Sequence, residues 1–147
     1  MAKRNQTVGY QVHATRMAGY LHATITGANT SKNIRAYMGD VLEACRDSGT
    51  RYLLVEERLT GPRLRTIDVY EVVVAGAEDA RGRLAAVAYV DVNQTDDSMM
   101  KFAESVAVSR GVPVKIFSTV PAAKEWIAAK AALAPLAEAR PSARPSI

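Results

Sequence analysis

One cysteine, Cys45, stands in a chain of 147 residues. It cannot close an internal disulfide, and it rules out any cysteine-based zinc cluster. Histidine is nearly as scarce: His13 and His22 are the only two. Without a neighbouring carboxylate or cysteine they make a poor metal set, and spacing assembles no nucleophile and orienting acid around either. They read as ordinary strand residues, and no metal site or cofactor is expected. No stretch approaches the ~18 to 20 apolar residues of a membrane-spanning helix. The start, "MAKRNQTVGYQ", carries basic residues with no apolar run behind them and does not read as a secretory signal. P-loop, GxGxxG and GxSxG motifs are missing too. These absences point to a reducing, cytoplasmic setting and leave no catalytic constellation, so an enzyme is not expected.

The length suits one domain that buries its own core, and 48% apolar with 23% charged residues places it among ordinary globular chains. The net charge of +4 is mild, with acids scattered among the bases. No aromatic-plus-basic stripe that would stack bases is visible, so no nucleic-acid partner is expected.

Two short strands, 10–16 and 20–26, flank a tight turn containing Gly19. A three-residue turn would send His13 and His22 to opposite faces, and a two-residue turn to one face. The clearest helix follows, with Ile34, Met38, Val41, Leu42 and Cys45 on one apolar stripe. Asn29, Thr30 and Ser31 offer capping oxygens at its start, and Gly49 stops it. Strands are expected at 51–57, 84–90 and 112–117, the second apolar on both faces as in a covered parallel sheet. A helix is expected at 98–110, and an alanine-rich one from Pro121 that Pro135 kinks or ends. Residues 1–8 read as an N-terminal arm, 9–134 as the single domain, and 135–147 as a disordered Pro/Ser/Arg tail.

"GPRLRTIDVYEVVVAG" (61–76) is the ambiguous stretch. Its β-branched and aromatic middle favours a strand. Yet it lies between two strands expected to be parallel neighbours, and such strands need a crossover, usually a helix. Topology therefore predicts a helix over 66–77, with Ile67, Tyr70, Val73, Val74 and Ala77 as its apolar stripe. The fold class is α/β: a mixed sheet with an N-terminal antiparallel hairpin, then β-α units with sequential parallel strands. Crossovers of one hand put their helices on one face. The long C-terminal helix or a partner subunit, as in a homodimer, then covers the other.

A strand ending in acidic residues, then a loop and "RTIDVYEVV", resembles the SpoIIAA-like, or STAS/SEC14-type, small bacterial proteins. So do "FAESVAVSRGVPVKIF" and the following "AAKEWIA". The similarity spans roughly residues 10–130. It implies a short β-α superhelix and a non-catalytic regulatory or protein-interaction module like the anti-sigma-factor antagonists. Their partner is an anti-sigma or kinase-like regulator, and a residue at the start of this helix is phosphorylated. Thr66 occupies that place, but Arg65-Thr66-Ile67-Asp68 replaces the family's Asp-Ser-Ser-Gly.

Several clusters each carry two readings. Thr66 is either a helix N-cap worth ~1 kcal/mol or a phosphoacceptor facing Arg63 and Arg65. Arg58, Arg63 and Arg65, with Asp68 nearby, form either a solvated loop or a partner-facing grip on an acidic group. Glu56, Glu57, Asp91, Asp96 and Asp97 gather at strand ends where α/β sheets place ligands, although Asp96 and Asp97 suit the start of the next helix. Met99, Met100, Phe102, Val106 and Trp126 are either plain core or the lining of a pocket for a small apolar, lipid-like ligand, the SEC14 side of the resemblance.

Overall fold

The computed structural model describes the backbone of residues 2–7, 9–93 and 97–142, and the side chains of 9–93 and 98–134. The described residues form six strands and four helices, three strands first and then helix and strand in alternation: β1 (Ala2–Thr7), β2 (Tyr10–Arg16), β3 (Leu21–Ala28), α1 (Ser31–Ser48), β4 (Tyr52–Thr60), α2 (Thr66–Ala80), β5 (Ala86–Asp91), α3 (Asp97–Ser109), β6 (Val114–Phe117) and α4 (Val120–Ser142). They form one sheet in sequential order. The β1–β2 and β2–β3 pairs are antiparallel, and β3 to β6 run parallel. The α/β class and mixed sheet are as the sequence predicts.

Residues 1–8 read as an arm, whereas the backbone of Ala2–Thr7 pairs with β2, Thr7 opposite Tyr10. "AKRNQT" is polar throughout and gives no alternating pattern to read. Its pairing covers the open N–H and C=O row of β2, and Gly9 at φ 97° supplies the reversal.

Thr30 caps α1 by accepting the Asn33 N–H at 3.1 Å, and Gly49 ends it in the left-handed region. The turn between β2 and β3 sets His13 opposite Thr24 and His22 opposite Thr15, so the two histidines share a face. Residues 66–80 are helical, as the crossover requires. The stripe differs from the expected one: Val72, Ala77 and Ala80 are buried with Val69 and Val73 beside them, while Ile67 and Tyr70 are exposed. Val73 and Ala77 of the expected stripe do face inward.

α1, α2 and α3 line up on one face, and their core includes Val12, Ile25, Tyr37, Val41, Leu53, Val55 and Val87. α4 takes the other face, where Ala123 and Ile127 pack on Tyr20, Leu54, Ala88 and Val90. α4 thus answers what covers the second face over β4 to β6. Toward β2 and β3 that face becomes polar, with Gln11, His13, Thr24 and Thr26. Pro135 does not end α4, whose backbone stays helical to Ser142. Its flanks, Ala131 to Ala134 and Leu136 to Ala139, are nearly all strong helix formers, which offsets the lost N–H. Residues 143–147 of the expected tail lie outside the described residues. Among the described residues no helix is long and apolar enough to cross a membrane.

Candidate functional site

Between the sheet and the α1–α3 layer the core leaves a cavity of ≈170 Å³. Its walls are aliphatic: Ile34, Val41 and Leu42 from α1, Val69, Val72 and Val73 from α2, Leu53, Val55 and Val87 from the sheet. Three methionines, Met38, Met99 and Met100, complete it, and their flexible thioethers adapt to irregular space. An engineered apolar cavity of about 150 Å³ holds benzene, whereas drug-sized ligands need about 300 Å³ or more. The space therefore suits a compact molecule rather than a lipid chain.

One end is polar. Strand alternation turns Glu57 toward the helices at the carboxyl end of β4, where it is 3% exposed. The Tyr37 hydroxyl donates to its Oε2, and the Tyr89 hydroxyl lies 3.4 Å from that of Tyr37. The register partner of Glu57 on β5 is Asp91. Burial, then the charge of Asp91, pushes the Glu57 carboxyl up to about 7, against the opposing hydrogen bonds of the two tyrosines. Burial, followed by the charge of Glu57, lifts both phenols well above their ordinary value. Asn29, half-buried, and Arg63, exposed, line the cavity where it meets solvent. This is the edge beyond the carboxyl ends of parallel strands, the usual ligand edge of α/β sheets.

The expected groupings are divided. Glu57 and Asp91 do meet, because β4 and β5 are neighbours. Glu56 points the other way, where His22 Nε2 lies at 2.8 Å and Arg58 Nε donates at 2.5 Å. Burial opposes its ionisation, but those bonds hold its carboxyl below the ordinary value. Asp96 lies outside the described residues, and Asp97 begins α3.

The three arginines do not converge. Arg58 lies inside β4, Arg63 lines the cavity, and Arg65 donates to Asp68 at 2.9 and 3.2 Å. Those bonds hold the Asp68 carboxyl below its usual range. Thr66 is exposed and is the first helical residue; the N-cap is Arg65, and no side-chain cap bond is made. The N-cap reading of Thr66 thus fails, because the helix begins one residue early and Asp68 reaches back instead.

Met99 and Met100 line the cavity. Phe102 is half-buried outside it, and Trp126 sits on the α4 face, its ring 5.5 Å from Phe117. Tyr37 and Tyr89 are the site residues that sequence reading missed. Tyr37 falls three residues after Ile34 and four before Val41, on the same apolar stripe, so its spacing was a usable signal. Among the described residues no group of three His, Cys, Asp or Glu side chains could hold a metal ion. Comparison with family models, curated proteins and solved structures finds no match for this chain.

Proposed function

We propose that this chain is a non-catalytic binding domain for a compact, mostly apolar molecule, held between sheet and helices with its polar end at Glu57. One observation carries the reading: the apolar cavity ends on a buried, hydrogen-bonded acid–phenol cluster at the ligand edge of the sheet. Apolar walls supply affinity and a few placed polar groups fix orientation, the usual division of labour in small-molecule sites. The sequential parallel strands with three helices on one face support a SpoIIAA-like, STAS-type superhelix as the finer description of the fold. Titration calorimetry with toluene tests the proposal. Saturable one-to-one binding, weakened by Val72→Phe in the cavity wall, supports it, and heat of dilution alone rejects it.

A second reading, a regulatory module of the anti-sigma-antagonist kind, rests on α2. Ile67 and Tyr70 are 52% and 37% exposed beside Thr66 and the Arg65–Asp68 pair. An apolar pair rimmed by charge suits a protein partner. Mixing purified protein with anti-sigma kinases of its source and mapping phosphate tests this reading. Phosphate on Thr66 favours it, and an unmodified Thr66 dismisses the switch.

A further inference from the structure

We propose that the occupant of the cavity is a small apolar amine bound as its ammonium ion, a claim that rests on the ligand-binding reading above. Hydrogen-bond arithmetic at the polar end gives the first support. The Tyr37 hydroxyl is spent as a donor on Glu57, which leaves its oxygen to accept from the Tyr89 hydroxyl 3.4 Å away, so toward a ligand both phenols offer lone pairs. The Glu57 carboxylate is likewise an acceptor. A ligand head that matches this end must donate, and an ammonium donates three times.

Charge balance gives the second. The described residues lining the cavity include three carboxylates, Glu57, Asp91 and Glu104, against one cation, Arg63. Glu104 is engaged on the sheet side, its Oε2 accepting the Ile116 N–H at 2.8 Å. Arg63 is exposed at the rim rather than set in the wall. A cation inserted beside Glu57 replaces lost hydration with charge-assisted bonds, which are the strong ones. An anion would meet acceptors and negative charge.

Binding is then linked to pH. The groups that act on Glu57 are Tyr37 from α1 and Tyr89 and Asp91 from β5; the other titratable or charged groups lining the cavity are Arg63 from the loop before α2 and Glu104 from α3, and the α2 residues lining it are apolar. Below about 7 Glu57 holds a proton, which the entering ammonium must expel to solvent. Affinity for the amine therefore rises from pH 5.5 to 8.

The test is a calorimetric panel of toluene, benzyl alcohol, benzoate and benzylamine on the full chain and on Glu57→Gln. Benzylamine should bind about tenfold tighter than benzyl alcohol at pH 8, the scale of one charge-assisted bond. That advantage should shrink at pH 5.5 and vanish in Glu57→Gln, while toluene binding persists in the variant. Equal affinities for amine and alcohol, preference for benzoate, or an advantage that survives Glu57→Gln overturns the amine claim and leaves the cavity standing. Failure of all four, toluene included, removes the cavity reading together with it.

Discussion

Glu56 and Glu57 are chain neighbours with opposite surroundings, because a strand turns successive side chains to opposite faces. Glu56 meets His22 and Arg58, and Glu57 meets two phenols and a second acid. The consequence for Glu57 has a definite sign. Its folded pKa of about 7 lies above the ordinary value of 4.5, so the folded state favours the protonated form. That stabilisation is fully present below the unfolded value and is lost as pH rises through the folded one. The loss is on the order of 3 kcal/mol. Glu57→Gln keeps the shape without the ionisation. It should match the parent most closely at pH 4 in urea unfolding and exceed it increasingly toward pH 8; a difference that stays flat with pH would refute the assignment. The sequence announced the two acids but not their separation into two environments, which depends on the register of β4. Cys45 was legible in full: its stripe position predicts burial, and it is 2% exposed.

Elements were the most readable level, and the reasons differ from one to another. α1 announces itself by periodicity and by caps at both ends. α2 does the reverse, since "IDVYEVVV" prefers a strand and only the demand for a crossover makes it a helix. Its inward face was read in part, because valine fills it and also the flanks: Val73 and Ala77 pack inward as expected, Val72 joins them, and Ile67 and Tyr70 stay outside. β1 was missed because a polar edge strand carries no alternation. α4 has an apolar stripe so diluted by alanine that only contact with β4, β5 and β6 reveals its face. Ile127, 0% exposed, is the large aliphatic that α4 sinks into the second core beside Leu54 and Val90. Ile127→Ala should cost about 2 to 5 kcal/mol in urea unfolding. A loss under about 0.5 kcal/mol would mean that α4 does not seal this face.

For the molecule as a whole, two cores share one sheet, and the larger leaves an apolar cavity between sheet and helices. The whole-molecule order that spacing implied, a hairpin followed by parallel β-α units, is the order of the sheet from β2 onward, with β1 added at its antiparallel edge. The cavity was not legible, since an unfilled volume depends on how side chains from six elements meet. Cys45 offers a reading of global integrity. Burial raises its thiol to about 12, so its labelling by a thiol reagent should be roughly 10³-fold slower than for a free cysteine and should follow global unfolding. Fast labelling in native buffer would show that the larger core opens locally. The ligand-binding claim has its own built-in reporters. Met38, Met99 and Met100 line the cavity, and Met17 packs on the opposite face. Labelling the methionine methyls with ¹³C and titrating toluene should shift the three cavity signals together, saturably, and leave Met17 in place. If the cavity methyls stay fixed while Met17 moves, or if none moves, the claim that the sheet and helices enclose a ligand site is contradicted.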